Sequence, residues 1–204
     1  IVNKISVAVP TYFSSHFISD LINSLKKHRV VNEIIICDDS ENQNEYEKLV
    51  EISNRELENF DIDLKISKNQ SKNGGFKNKY KCISIAKNEF VYQIDSDNIA
   101  NSKFLKYLEN VNFTKLDKKI LYIPSGIFLF KKNKYEKYFK PRNNITFLNK
   151  SKIITPEFLK QSLIVEDNFV KNKNVNWLLN TGNPFFYKSS YMSFLEKGLK
   201  MEEK

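Results

Sequence analysis

Five glycines and five prolines in 204 residues, with no stretch rich in Ser, Gly or Pro, leave no evident linker and no low-complexity segment. The two cysteines, Cys37 and Cys82, sit inside apolar segments without metal-ligand spacing. A disulfide framework and a thiolate metal site are therefore excluded, and two reduced core thiols of an intracellular protein are expected. No apolar run reaches the length of a membrane-spanning helix, and the N-terminus lacks the basic start, apolar centre and small-residue cleavage site of a signal peptide. No Gly-x-Gly-x-x-Gly follows any strand, which argues against a dinucleotide-binding dehydrogenase. There is no internal repeat. The start at Ile1 without methionine and the stop at Met201-Glu-Glu-Lys204 are expected to mark a trimmed chain or a piece of a longer one.

What is present is a substantial apolar complement, 41% hydrophobic and 13% aromatic, enough for one domain with a sizeable core. The formal charge of +9 fits anionic partners in general. The lysines are spread along the chain, however, and a nucleic-acid role would need a continuous basic face with strongly salt-dependent binding, so no nucleic-acid partner is expected. One local cluster runs from Lys131 to Arg142 and interleaves three aromatics with the bases. It is read as a solvated loop, with peripheral contact to an anionic membrane or a phosphate-bearing acceptor as the alternative. The expected location is cytoplasmic, with that contact at the inner face of the membrane.

The stretch Glu89 to Ile99 organises the rest. Phe90, Val91, Tyr92 and Ile94 suit a strand covered on both faces, and Asp95-Ser-Asp-Asn cannot continue it. Two acids one residue apart repel unless a cation or hydrogen bonds offset them. Mg²⁺ and Mn²⁺ bind through one or two carboxylates plus substrate phosphate oxygens. Asp-x-Asp alone is a weak signal, met more often in solvated turns with an Asx cap. Its place after a strand strengthens the functional reading, because open α/β sheets bind ligands at strand carboxyl ends.

Earlier in the chain, Lys4 to Val9 alternates as a strand that Pro10-Thr11-Tyr12 is expected to end. Phe17, Leu21, Ile22 and Leu25 recur at helical spacing, with Ser14 and Ser15 as caps and an end near His28. Glu33 to Cys37 forms a second strand that stops at Asp38 and Asp39. Tyr46, Leu49, Val50 and Leu57 mark a helix, and Ile62, Leu64 and Ile66 a third strand. Asn69 to Gly75 is a turn-rich loop whose glycines permit positive φ and a close ligand approach. It leads into a helix carrying Lys77, Lys79 and Lys81 and running through Ile83 and Ala86. Strands alternating with helices argue for a mostly parallel sheet. The second half is less regular: Leu105 and Leu108 mark a short helix, Ile120–Pro124 and Gly126–Phe130 read as strands, and Thr181 to Lys188 reads as a turn and a strand before an amphipathic helix from Ser189.

Three strands thus send polar loops to one rim, carrying Thr11 and Tyr12, Asp38 and Asp39, and Asp95 and Asp97. Such a rim suits a phosphorylated nucleotide with one divalent metal. Tyr12 would stack a base, Asp39 would accept from a ring N–H or hydroxyl, Lys79 would neutralise phosphate and Asp97 would hold the metal. Bland accounts stay open at this point: Tyr12 as packing, Asp38 or Asp39 as a helix cap, and Lys79 as a solvated lysine.

These residues resemble a family. Ile5-Ser-Val-Ala-Val-Pro-Thr-Tyr12, Glu33-Ile-Ile-Ile-Cys-Asp-Asp-Ser40, Asn73-Gly74 with Lys79, and Ala86 through Asp95-Ser-Asp97 are similar in order and spacing to glycosyltransferase family 2, and Thr181 to Lys188 resembles the strand before its acceptor-side helix. The resemblance implies an α/β fold of the GT-A type, a Rossmann-like, mostly parallel sheet flanked by helices. Residues 1–204 would be a single catalytic domain, with a nucleotide-sugar half at 1–100 and an acceptor-side half at 101–204. It further implies that Pro10, Thr11, Tyr12, Asp39, Asn73, Gly74, Lys79, Asp95 and Ser96 bind the donor. Asp97 would ligate Mn²⁺ or Mg²⁺, with Asp95 close to the metal or the ribose. The implied activity is inverting transfer from a nucleotide-diphosphate sugar, UDP-sugar favoured, to a glycan or lipid-linked acceptor, as in bacterial polysaccharide biosynthesis. A sugar-nucleotide pyrophosphorylase is the rival enzyme, but Pro10 to Ser15 lacks the glycines to hold a triphosphate. A non-catalytic donor-binding module is the rival outside enzymes.

The family's general base lies in an acidic motif after the Gly-Asn-Pro-Phe strand, whereas Glu166-Asp167 precedes that strand here. Either the base lies beyond Lys204, the favoured reading, or Glu166 or Asp167 serves. The chain is then expected to bind donor and transfer poorly, since losing a general base costs about 10²–10⁴-fold in rate. Donor consumption by this chain, by a version extended with the next stretch of the gene, and by Glu166→Gln and Asp167→Asn tests this. Full activity of the short chain, lost in either variant, would place the base upstream of Thr181.

Overall fold

In chain order the elements are β1 (Ile5–Thr11), α1 (Ser15–Leu25), β2 (Val31–Asp38), α2 (Gln43–Leu57), β3 (Asp63–Lys68), α3 (Gly75–Ser84), β4 (Phe90–Gln93), α4 (Ser102–Asn110), a 3₁₀ turn at Phe113–Lys115, β5 (Val165–Glu166), β6 (Phe169–Val170) and β7 (Phe185–Tyr187). The structure, a computed structural model, describes residues 3–122, 165–166, 169–170, 183–193 and 196. The chain divides into two units, Ile1–Ile123 with Gly182–Lys204, and Pro124–Thr181. In the second, β5 and β6 pair antiparallel. The expected strand Gly126–Phe130, the basic cluster Lys131 to Arg142 and Asp167 lie outside the described residues. No helix among the described residues is long and apolar enough to cross a membrane.

The first unit is a five-stranded sheet in the order β3-β2-β1-β4-β7. β1, β2, β3 and β4 run parallel, and β7 joins antiparallel at the β4 edge. The expected mixed α/β architecture with a mostly parallel sheet is what the chain forms. Side-chain alternation divides the core between the two faces. Val7, Val9, Ile34, Ile36, Phe90, Tyr92 and Phe185 pack with Ile18, Leu21, Ile22 and Leu25 of α1, Leu49 of α2, and Leu105 and Leu108 of α4. Ala8, Ile35, Cys37, Val91 and Phe186 pack on the other face with Cys82 and Ile83 of α3 and with Tyr191 and Met192 of the helical segment 188–193.

Local sequence explains the starts of two helices. Asn42 caps α2 by accepting from Glu45 N at 3.1 Å, with Arg55 in the last turn, where it favours the helix dipole. Asn101 caps α4 in the same way, accepting from Phe104 N at 3.1 Å. α1 departs from expectation. Ser14 occupies the N-cap, but its hydroxyl donates to Tyr12 O, and the free donors Ser15 N and Ser15 Oγ go instead to the Glu45 carboxylate of α2 at 2.6 and 2.9 Å. The buried stripe of α1 runs Ile18, Leu21, Ile22, Leu25, while Phe17 is exposed and lies against His16. Seen alone, the apolar spacing accommodates either residue; packing into the core on this face of the sheet selects Ile18.

β1 also runs further than expected, through Pro10 to Thr11. Asp39 N donates to Thr11 O and Ile94 N to Ala8 O, so odd residues of β1 address β2 and even ones address β4. Pro10 therefore lacks its N–H on the β4 side, where pairing has already stopped at Ala8 opposite Gln93, and the ring interrupts no ladder bond. Of the strand expected at Ile120–Pro124, the described part holds only a single antiparallel bridge between Tyr122 and Phe185.

At the end of the sheet away from the strand carboxyl termini, Glu33 is fully buried. Its carboxylate accepts from Ser6 Oγ and from Lys87 N at 2.9 Å, and it pairs with Lys65 Nζ at 2.6 Å. Burial alone would raise this carboxyl's pKa; the bonds from Lys65, Ser6 and Lys87 outweigh it and hold the group below the usual range. A depressed folded-state pKa contributes stability above the ordinary carboxyl range, and that contribution is lost as pH falls through the folded value. Glu33→Gln is thus expected to destabilise the chain by about 1–3 kcal/mol near neutrality. Thermal unfolding from pH 7 to pH 3 checks the sign: the gap between variant and wild type should close on acidification, and a constant gap would show that ionisation of Glu33 contributes nothing.

Candidate active site

At the carboxyl ends of β1 and β2 a buried asparagine adds a second donor to carbonyls that already accept from the ladder, as Thr11 O does from Asp39 N. Asn78, in the first turns of α3, donates through Nδ2 to Cys37 O of β2 at 2.9 Å and to Thr11 O of β1 at 3.3 Å. Its Oδ1 accepts from Asn69 Nδ2 at 3.0 Å. Asn69 Nδ2 also donates to Asp39 Oδ1 at 2.8 Å, and Asn69 Oδ1 accepts from Lys81 Nζ at 2.6 Å. Both asparagines are buried. They were not among the residues singled out from sequence. Asn69 lies in the turn-rich loop, where its side chain is one polar group among many, and Asn78 lies on a helix flanked by lysines.

The 69–75 loop closes on Asp39. The carboxylate of Asp39 accepts from Asn73 N at 2.8 Å and Gly74 N at 2.9 Å as well as from Asn69. A carboxylate offers about four lone-pair sites, so one acceptor position is left for a ligand N–H. Gly74 stands at φ +81° with no atom within 4 Å of where a Cβ would lie. Its requirement is therefore backbone conformation, not space. Asp38 is turned inward and buried, accepting from Thr11 Oγ1 at 3.2 Å, Ser40 N at 3.2 Å and Ser40 Oγ at 2.6 Å. It holds the ends of β1 and β2 together.

Tyr12 and Phe13 follow β1. Both rings are about half exposed and meet edge to face at 4.9 Å, and Phe13 has φ +51°, a left-handed conformation uncommon for a bulky residue. Lys72 of the 69–75 loop reaches Tyr12, with Nζ 3.2 Å from the hydroxyl and 4.5 Å from the ring centroid. After β4 the chain turns through Asp95 to Asn98, with Asn98 N donating to Asp95 O. Asn183, just before β7, braces this turn by accepting from Asp95 N and Asn98 Nδ2, each at 3.2 Å. Lys79 Nζ pairs with Asp95 Oδ1 at 3.1 Å. Ser96 is buried and Asp97 is exposed, with no hydrogen bond or ion pair to another described residue.

Of the residues expected to bind donor, Pro10, Thr11, Tyr12, Asp39, Asn73, Gly74 and Lys79 are joined through β1, β2 and the start of α3, and the Lys79–Asp95 pair brings in the Asp95-Ser96-Asp97 turn. Glu166, in β5, belongs to the other unit and is described in its backbone alone. The donor set for a metal is two carboxylates without imidazole or thiolate, and among the described residues no third His, Cys, Asp or Glu joins them. This fits a hard ion such as Mg²⁺ or Mn²⁺, whose other positions fall to substrate phosphate and water. The neighbouring thiols are free and buried. A hydrogen bond from Cys82 lowers Cys37, and burial raises Cys82, so neither is placed as an exposed nucleophile.

The glycosyl transferase family 2 model matches residues 6–158. Poly(ribitol-phosphate) beta-N-acetylglucosaminyltransferase TarS of Staphylococcus aureus is 32% identical over 107 residues, 50% of this chain and 18% of TarS. The chain thus spans less than a fifth of that relative's length. The crystal structure of TarS residues 1–349 in complex with UDP-GlcNAc is 32% identical, covering 51% of this chain and 29% of that one, at a TM-score of 0.42. The mannosyltransferase PcManGT of Pyrobaculum calidifontis, in complex with GDP-Man and Mn²⁺, is 14% identical, covering 59% of this chain and 35% of that one, at a TM-score of 0.48.

Removing the Asn78 amide takes one of their donors from the Thr11 and Cys37 carbonyls and one acceptor from the Asn69 amide, and each such hydrogen bond contributes about 0.5–1.5 kcal/mol. Asn78→Ala is expected to lower the melting temperature by roughly 2–4 °C for each kcal/mol lost in a chain of this length. Asn78→Asp, which faces a carboxylate toward two carbonyl oxygens, should lower it further. Differential scanning calorimetry on the pair checks both the size and the order, and equal melting temperatures for wild type and Asn78→Ala would remove the amide from the account.

Proposed function

This chain belongs to glycosyl transferase family 2, and on that basis we propose that it transfers a sugar, with inversion, from a UDP-sugar to a glycan or lipid-linked acceptor. Mn²⁺ or Mg²⁺ would be held at the Asp95–Asp97 turn. The observation that carries the reading is the rim, where the Asp39 clamp on the 69–75 loop, exposed Tyr12, and the Lys79–Asp95 pair beside exposed Asp97 stand at the ends of neighbouring parallel strands. Uridine is favoured by the 32% identity to TarS over 107 residues, a protein crystallised with UDP-GlcNAc. The family resemblance also implies that Tyr12 and Asp39 would meet the uracil.

In this reading Tyr12 stacks on the base, with Lys72 moving off its ring, and Asp39 offers its remaining acceptor position to a base N–H. Asn73 and Gly74, clamped to Asp39, bring backbone close to the nucleotide. Lys79 neutralises the diphosphate. Asp97 and Asp95 hold the metal, which when bound lends positive charge to the leaving diphosphate as the sugar–oxygen bond breaks. Inversion in one displacement also needs a carboxylate to take the acceptor hydroxyl's proton. The donor half is assigned to residues 1–100 and the acceptor half to 101–204.

Isothermal titration of UDP tests the donor site. UDP is expected to bind in the presence of Mn²⁺, to bind about tenfold or more weakly in EDTA, and to lose that metal-dependent part in Asp97→Ala, consistent with the loss of one charged ligand. UDP should compete better than GDP or TDP. Affinity indifferent to EDTA, or unchanged in Asp97→Ala, would sink the metal assignment, and equal competition by GDP would sink the uridine preference.

A further inference from the structure

We propose that Lys79 is a resident counter-ion of Asp95 that makes divalent-metal binding at the Asp95–Asp97 turn conditional on the donor's diphosphate. This rests on the donor-site reading above and goes beyond it, because it concerns the order and coupling of binding.

The geometry is an exchangeable pair. Lys79 Nζ lies 3.1 Å from Asp95 Oδ1, and the two side chains are 35% and 31% exposed. Water therefore reaches both, and neither is locked in by burial. Asp97 is exposed and unpaired among the described residues. The backbone of the turn does not depend on the pair: Asp95 N and Asn98 Nδ2 are held by Asn183. On the other side, α3 is anchored at the neighbouring Asn78 by bonds to β1 and β2. Releasing Lys79 from Asp95 thus costs one exposed ion pair and no rearrangement of the frame that carries it.

Charge then sets the coupling. With Lys79 in place the turn offers a net charge of about one negative unit, because one of the two carboxylates is already compensated. A divalent ion arriving alone must displace an ammonium or share a carboxylate with it, and the two cations repel. A diphosphate changes the balance by giving Lys79 a second anionic partner. The lysine stem is flexible and its ammonium acts as a point charge, so the head can pass from Asp95 to a phosphate oxygen without moving α3. Asp95 is then open to the metal. Each ligand therefore raises the affinity of the other, and linkage requires the effect to be equal in both directions.

Removing the ammonium must shift the two affinities in opposite directions, a signature that a merely structural ion pair does not produce. The test is Mn²⁺ binding followed by the electron paramagnetic resonance signal of the free ion, with and without UDP, for wild type, Lys79→Met, Lys79→Gln and Lys79→Arg. Lys79→Met and Lys79→Gln should bind Mn²⁺ alone about threefold more tightly, the scale of one exposed ion pair. They should bind UDP in saturating Mn²⁺ about tenfold more weakly, the scale of a lost charge-assisted contact. Lys79→Arg should stay near wild type in both. Mn²⁺-alone affinity unchanged or weakened in both neutral variants, while wild type binds UDP with Mn²⁺, would overturn the counter-ion role and leave the donor site standing. Wild type that binds no UDP under any metal condition would overturn the donor-site reading itself.

Discussion

The rim depends on the amide of Asn78, which ties α3 to the carboxyl ends of β1 and β2. The carbonyls of Thr11 and Cys37 already accept from the ladder, and each carries a second lone pair. Asn78 donates to both, and through Asn69 it connects them to Asp39. The same residue thus holds the start of α3 against the rim. Lys79, one residue further, owes its reach to Asp95 to that anchorage.

The rim is also electrostatically self-contained without a ligand. Asp38 is satisfied by Thr11 and Ser40, Asp39 by the 69–75 loop, and Asp95 by Lys79. Lys72 covers Tyr12 and Lys81 bonds Asn69. The side chains that would meet a nucleotide are therefore engaged with one another, and binding exchanges these contacts for ligand contacts at modest net cost. Asp97 is the exception, exposed and unpaired among the described residues. Under the counter-ion role proposed for Lys79, this arrangement would favour a multiply charged anion that arrives with its own cation over either ion alone.

Two polar clusters stand at opposite ends of the sheet. Buried Glu33 and Ser6 meet the exposed Lys65 and Lys87 at the strand amino ends, and the groups proposed to meet a nucleotide lie at the carboxyl ends. Between them the core is packed on both faces, with α1, α2 and α4 on one side and α3 with the 188–193 segment on the other.

How much of this was legible before the fold was known follows from the range of each interaction. The β1–β4 strands, their helices and the parallel order depend on periodicity and strand-ending polar residues, which are local, and Asp95-Ser96-Asp97 stands out because an apolar run stops there. The switch from Phe17 to Ile18 as the buried residue of α1, the cap supplied by Glu45 in place of Ser14, and the run of β1 through Pro10 were set from outside each segment, by the core on that face of the sheet, by α2 and by the end of β4 pairing. Asn69, Asn78 and Asn183 carry no local signal, because an asparagine in a loop or on a helix looks the same whether it faces water or closes a sheet. The sequence alone determined the alternation of strands and helices and the acids at the strand ends, since both follow from side-chain spacing along the chain. Only the tertiary structure decided that Lys79 faces Asp95, that Asp39 holds the 69–75 loop and that Asn78 ties α3 to β1 and β2, because those contacts span 16, 34 and 41 or more residues and exist only once β1, β2 and β4 lie side by side.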